Sequence, residues 1–123
     1  MTEIQNKCLK AKQYDLEDRT LRFSQKVIEY CNKLTKTMAN IEIIRQLIRS
    51  SGSVGANYIE ANESLSKKDF VLRVKICRKE AKESRYWLIL STPIDSEKKQ
   101  KQSLILETNE LMKIFGAILE KCK

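Results

Sequence analysis

The chain has 123 residues, a formal net charge of +8 and no histidine. A chain of this length is expected to form one domain that needs neither a metal nor disulfides for stability. The lack of histidine removes the commonest zinc ligand and the usual general base at neutral pH, which argues against zinc sites and catalytic triads. With only three glycines and one proline, the composition favours long helices, so we expect an all-α fold.

The cysteines and the hydropathy of the chain help to predict its cellular compartment. The four cysteines are far apart and form no C-x-x-C pair, so we expect reduced thiols. No apolar run approaches the roughly 18 residues that a membrane span needs, and the N-terminus lacks the apolar core of a signal peptide. The sequence therefore predicts a cytoplasmic protein without membrane association and without a cofactor. The cysteines are Cys8, Cys31, Cys77 and Cys122.

The first predicted helix follows a polar lead-in over residues 1–13 and covers about residues 15–37. Its apolar or small residues recur with a spacing of 4-3-4-3-4, which places them on one face. They are Leu16, Thr20, Phe23, Val27, Tyr30, Leu34 and Met38. Asn40 is predicted to be the N-cap of the next helix.

The second predicted helix, about residues 40–64, contains a cluster of small residues that includes Gly52 and Gly55. The apolar phase continues through this cluster, although each internal glycine costs about 1 kcal/mol relative to alanine. We therefore expect an unbroken helix packed closely against a neighbour. The alternative is a helix that ends near Ser50 and a Ser/Gly loop. The predicted core positions are Ile41, Ile44, Leu47, Ile48, Ser51, Val54, Gly55, Tyr58 and Asn62.

Two further helices are predicted over about residues 67–91 and 96–121. Ser66 is the expected N-cap of the third helix, with Asp69 in its first turn, and Pro93 ends that helix. Four helices with short links predict an antiparallel up-down-up-down four-helix bundle. The predicted core stripes are Phe70, Val74, Cys77, Ala81, Ser84 and Leu88, followed by Leu104, Thr108, Leu111, Phe115, Ile118 and Cys122.

Positive charge is concentrated on the third helix. Residues 66–92 contain eight basic and three acidic residues. At 100° per residue, six of the basic side chains share an arc away from the core stripe, beside Tyr86. Such an arc predicts salt-dependent, largely sequence-independent binding of RNA or DNA, and the alternative is an ordinary solvated face. The six residues are Lys68, Lys75, Arg78, Lys79, Lys82 and Arg85.

Two further strips predict a contact between copies of the chain. One lies on the third helix and mixes acids with large apolar residues, and the other lies on the second helix and mixes charges with small residues. Large apolar groups at such positions often mark interfaces. The alternative is that both strips close the bundle itself or lie in solvent. The strips comprise Ile76, Glu80, Glu83 and Trp87, and Arg45, Arg49, Gly52, Ala56, Asn57 and Glu60.

Enzymatic readings have little support in the sequence. Glu60, Glu80 and Glu83 could act as an acid–base pair or bind a metal, but carboxylate-bridged metal sites in helical bundles also use histidine. Residues 52–55, GSVG, lack the Gly-Lys-Ser/Thr of a phosphate-binding loop. We predict that the protein is not an enzyme and that these acids form ion pairs.

Three segments carry a family resemblance. Residues 49–61 (RSSGSVGANYIEA), 66–70 (SKKDF) and 77–88 (CRKEAKESRYWL) resemble the bacterial four helix bundle protein family, which includes the 23S rRNA intervening-sequence proteins and is similar to the accessory variability protein of diversity-generating retroelements. Asn57, Glu60 and Glu83 fall on family positions, whereas Ala61 replaces an expected glycine and Gly55 stands where proline is frequent.

The resemblance implies a homo-oligomer, in the form of a pentameric ring, with a basic surface suited to nucleic acid and no established enzymatic activity. We therefore expect a non-catalytic oligomeric bundle that binds RNA or DNA. The rival interpretation is a protein-interaction scaffold, in which the same charges serve the ring and an acidic protein partner.

Overall fold

The computed structural model describes residues 13–123 and contains four long helices. Its helices are α1 (Gln13–Asn32), α2 (Met38–Asn62), α3 (Lys67–Leu90) and α4 (Lys98–Lys121), with a short 3₁₀ helix (Asp95–Glu97) before α4. This range contains no strand. The predicted lead-in over residues 1–13 lies outside the described residues, except for its last residue, where α1 begins.

The helices form the predicted four-helix bundle. Consecutive helices pack side by side, and α1 also contacts α4, less extensively than consecutive helices contact each other. The core stripes predicted for the third and fourth helices are buried throughout, as is that of the first helix from Leu16 to Leu34. The 4-3 spacing places these side chains on one face of each helix, so burying that face forms a continuous core.

The cluster of small residues lies inside an unbroken helix, as predicted. Ser50 Oγ and Ser84 Oγ of α3 share a buried hydrogen bond of 2.8 Å. On the α1 side, a Cβ added to Gly55 would lie 3.1 Å from Thr20 Oγ1. The small side chains therefore let α2 approach both of its neighbours closely, while serine hydroxyls satisfy one another in the interior.

The buried face of α2 differs from the predicted one at its outer edge. Ile43 is buried in the structure, whereas Ile41 is 45% exposed and Ile48 is 39% exposed. Met38, predicted as the last core position of the first helix, is 91% exposed. These three predictions were wrong because α2 begins only at Met38 and is sandwiched between α1 and α3, so its core stripe runs through the positions that point between those two helices.

The first helix ends earlier than predicted, at Asn32 instead of about residue 37. Lys36 folds back, and its ammonium group donates hydrogen bonds to the carbonyls of Cys31 (3.2 Å) and Leu34 (3.1 Å). A cation at this position satisfies carbonyls that have no partner within the helix and interacts favourably with the helix dipole. Leu34 remains buried although it lies beyond the helix.

Thr37, and not Asn40, is the N-cap of α2. Its hydroxyl accepts a hydrogen bond of 3.1 Å from the backbone N–H of Asn40. Asn40 is buried and has a different role. Its amide nitrogen donates to the carbonyls of Thr35 (3.0 Å) and Thr92 (3.3 Å), so that it joins the α1–α2 loop to the α3–α4 loop.

The cysteines differ in state. Cys31 and Cys77 are free and buried. Cys122 is disulfide-bonded, so the expectation that all four cysteines are reduced was wrong for this residue.

Among residues 13–123, no helix combines the length and the apolar character that crossing a membrane requires.

Candidate nucleic-acid interface

On α3, Glu80 and Glu83 lie on a different side of the helix from most of the basic side chains. Helical geometry turns Glu80 and Glu83 toward α2, and both contact Arg49 of that helix. Arg73, on the same side, donates a 3.0 Å hydrogen bond to the side-chain oxygen of Asn57. The other basic residues of α3 project toward solvent or toward α4. Glu80 and Glu83 therefore form their ion pairs with α2 and not with the basic residues of their own helix.

Arg49 holds the two acids in the seam between α2 and α3. Its guanidinium donates to Glu80 Oε2 at 3.2 Å and also to Glu83 Oε2. The indole N–H of Trp87 donates to the same Glu83 oxygen at 3.0 Å. The hydrogen bonds from Trp87 and Arg49 hold the pKa of Glu83 below its usual value, and the bond to Glu83 raises the pKa of Arg49. Glu80 is only 7% exposed.

The predicted interface residues therefore divide into two groups. Arg49, Glu80, Glu83 and Trp87 contact one another in the α2–α3 seam, and Asn57 accepts a hydrogen bond there from Arg73. Ile76 is partly buried beside them. The remaining residues are exposed on the outer side of α2. They are Arg45, Gly52, Ala56 and Glu60.

The six basic residues of the predicted arc form what we call the cationic face. Five of them are exposed and Arg85 is half-buried. Across the described part of the chain, none of the six forms an ion pair, and the buried Nε of Arg85 has no hydrogen-bond acceptor. The Arg78 guanidinium lies over Gly116 of α4, 4.0 Å from where a Cβ would be. The face therefore extends from the outer surface of α3 to its seam with α4.

Two basic residues of α1 form ion pairs with acidic residues. Arg19 forms a bidentate pair with Glu107 across the α1–α4 seam, with both N–O distances at 2.8 Å. Arg22 pairs with Asp18 at 2.9 Å along α1. These two cations have acidic neighbours, whereas the six residues of the cationic face form no ion pair among the described residues.

The whole of this arrangement lies within a segment matched by a family model. The model for "23S rRNA-intervening sequence protein" matches residues 12–117. The chain belongs to this family. A crystal structure of a protein of unknown function from the S23 ribosomal protein family of Bacteroides thetaiotaomicron VPI-5482 is similar, with a TM-score of 0.77 and 28% sequence identity over 89% of this chain and 98% of that one. No curated protein matches the sequence.

Membership of the 23S rRNA-intervening sequence protein family confirms the resemblance seen in the sequence and agrees with the bundle. Neither the family nor the similar structure indicates a catalytic class. Within residues 13–123, no group of three or more cysteine, aspartate and glutamate side chains is arranged to hold a metal. Burial raises the pKa of Cys31 to about 11 and that of Cys77 to about 12, so these thiols stay protonated at neutral pH and are poor nucleophiles.

The sequence predicted the basic residues of the face, but it did not predict that Arg49 holds Glu80 and Glu83. The decisive residue is Arg49, which lies on another helix and pairs with two acids of α3 at once. A signal was present, because the acids of α3 fall on one side of the helical wheel and Arg49 falls on the side of α2 that would meet them. Knowing which helix packs on that side required the fold.

Proposed function

We propose that this protein is a non-catalytic, nucleic-acid-binding bundle whose cationic face contacts the phosphates of RNA or DNA. The observation that carries the proposal is the separation of charge on α3. None of the six basic side chains forms an ion pair among the described residues, although Lys79 also interacts electrostatically with Glu83, and Glu80 and Glu83 on the same helix are held by Arg49. A surface with unpaired cations gains more by binding a polyanion than one whose cations already have partners.

The spacing of the cations suits a charged backbone. Lys75, Lys79 and Lys82 follow one another along α3 with rises of about 6 and 4.5 Å. Each lysine that neutralises a phosphate releases bound counterions, so affinity should fall steeply with salt and depend little on sequence.

A salt titration tests the proposal. Binding of a fluorescently labelled RNA or DNA is measured by anisotropy between about 50 and 200 mM salt. Lys79→Glu combined with Lys82→Glu should weaken binding and reduce the salt slope by about 1.4 for a single strand, because each lost phosphate contact contributes about 0.7.

The matched control is Lys26→Glu combined with Lys99→Glu, which changes the net charge equally at exposed positions on α1 and α4. It should keep most of the affinity, since charges more than a Debye length of about 10 Å away are screened. Equal losses in the two double variants would show that net charge alone is responsible. Absence of binding by the unmodified protein would favour a scaffold that binds acidic proteins.

We also propose that the chain associates with copies of itself through the outer side of α2, in the ring of five that the family resemblance implied. The supporting observation is an exposed surface that combines apolar and small residues. Ile48 and Ile59 are partly exposed, and Ala56 lies between them on this side. A Cβ added to Gly52 would meet nothing within 4 Å. Small residues in such a place permit close approach of another helix.

A further inference from the structure

Tyr86 lies on the exposed surface of α3, between basic and apolar side chains. Its side chain is 57% exposed. Lys79 and Lys82 precede it by seven and four residues, so they lie on the same side of the helix. Ile89 and Leu90 follow it by three and four residues and are also exposed. The ring therefore has ammonium groups toward one end of the helix and an apolar surface toward the other.

The Tyr86 ring is also held in place by a neighbouring aromatic side chain. The Tyr86 and Trp87 rings are in edge-to-face contact, with centroids 5.1 Å apart and planes at 77°. Trp87 is fixed in turn by its hydrogen bond to Glu83, which Arg49 holds from α2. An exposed aromatic ring that is held by such a chain of contacts loses little conformational freedom when a ligand stacks on it.

We infer that the cationic face binds single-stranded nucleic acid in preference to a duplex, with a base stacked on Tyr86 while Lys79 and Lys82 contact adjacent phosphates. The inference rests on the proposed function and specifies its substrate class. Proteins that bind single strands without sequence preference combine a positive track with aromatic stacking platforms. Both components occur here within two turns of one helix.

A duplex cannot use the tyrosine in this way. Its bases are stacked within the helix and offer no open face to a side chain on a convex protein surface. It can reach only the cations, so its affinity should depend on the lysines and not on the ring. Tyr86 is therefore the residue that distinguishes the two kinds of ligand, and Leu90 provides apolar contact only to a base that is already exposed.

The test compares a labelled oligothymidylate with a DNA duplex of the same length at fixed salt. Tyr86→Leu removes the ring at similar volume and should weaken binding of the single strand by about 5- to 150-fold, the range expected for one stacked base. Tyr86→Phe keeps the ring and should remain within about twofold of the unmodified protein. Neither variant should change duplex binding by more than about twofold.

The emission of Trp87, the only tryptophan, gives a second readout on the unmodified protein. Because Trp87 contacts Tyr86, the single strand should change this emission and the duplex should not. An unchanged single-strand affinity in Tyr86→Leu, an equal loss of duplex affinity, or identical emission responses to both ligands would overturn the inference. If Lys79→Glu with Lys82→Glu still abolished binding in that case, the proposed function would survive, whereas no effect of that double variant would remove the proposed function itself.

Discussion

Arg49 shows how one side chain can define the charge of a surface on another helix. It is about half exposed, yet it forms ion pairs with both Glu80 and Glu83, of which Glu80 is nearly buried. Without Arg49, Glu80 would lose its ion pair in the α2–α3 seam, and Glu83 would lose its own ion pair but keep its electrostatic interaction with Lys79. The residue therefore matters for the stability of the seam and for the potential of the surface beyond it.

We predict that Arg49→Met lowers the free energy of unfolding by about 1–3 kcal/mol, because it leaves a largely buried acceptor without its charged donor. Urea denaturation at pH 7 measures this loss. Arg45→Met is the matched control, since Arg45 is exposed on the same helix and reaches only Glu42 at 4.0 Å. Equal stabilities of the two variants would contradict the role assigned to Arg49.

The loss should also depend on pH. The pKa of Glu83 is lowered in the folded state, so its contribution is present above the unfolded pKa of about 4.3 and disappears as the pH falls through the folded value. The difference in stability between the unmodified protein and Arg49→Met should therefore be greatest near neutral pH and shrink below about pH 4. A difference that stays constant on acidification would show that the carboxylates are not involved.

Among the elements, α2 was the hardest to predict and the most informative. The apolar period correctly indicated a helix through Gly52 and Gly55, because periodicity reflects the packing that compensates for poor helix propensity. The same period predicted the wrong boundary for the buried face of α2. Ile41 and Ile48 fit a helical stripe of apolar residues as well as Ile43 does, but only Ile43 is buried. Which edge is buried depends on the directions from which α1 and α3 approach, and these are not encoded locally.

We predict that the glycines of α2 and α4 respond differently to alanine. Gly116→Ala should raise the free energy of unfolding by about 1 kcal/mol, because a Cβ there meets only the end of the Arg78 side chain. Gly55→Ala should show no such gain, since its Cβ would lie 3.1 Å from Thr20 Oγ1, which is itself bonded to the Glu17 carbonyl at 3.0 Å.

A double-mutant cycle with Thr20→Ala isolates this contact. In the Thr20→Ala background, Gly55→Ala should become more favourable by about 0.5–1 kcal/mol, because the crowded hydroxyl is gone. Additive effects would mean that α1 does not restrict the residue at position 55.

The end of α1 illustrates a further limit of sequence reasoning at this scale. The apolar spacing continues through Leu34, and Leu34 is indeed buried, yet the helix stops at Asn32. The Lys36 ammonium group donates hydrogen bonds to the carbonyls of Cys31, in the last turn of α1, and of Leu34, beyond its end. The burial of Leu34 therefore does not require it to be helical. A lysine a few residues beyond a possible helix end is too common to serve as a stop signal.

For the whole molecule, the two proposed functional surfaces lie on adjacent helices. The cationic face belongs to α3, and the exposed small residues belong to the outer side of α2. The sequence placed the basic residues correctly on one arc. It also grouped Glu80, Glu83 and Trp87 with the contact between copies, whereas in the folded chain these side chains have partners in the α2–α3 seam.

We predict that Ala56→Trp lowers the solution mass measured by light scattering toward that of the single 14.4 kDa chain, because the large ring would block close approach of another helix. Ala117→Trp, at an exposed alanine on α4, is the matched control and should leave the mass unchanged. A multimeric mass that survives Ala56→Trp would exclude this side of α2 as the contact. A monomeric mass for the unmodified protein would exclude self-association altogether.

The hydrogen bonds of Asn40 make the two ends of the bundle unequal. One amide ties two connections together, 52 residues apart in sequence, whereas the connection between α2 and α3 at the opposite end exposes 92% of Leu65. Fluorophores, affinity tags or inserted peptides should consequently be tolerated better at the exposed Leu65 in that α2–α3 turn than in the connections that Asn40 joins.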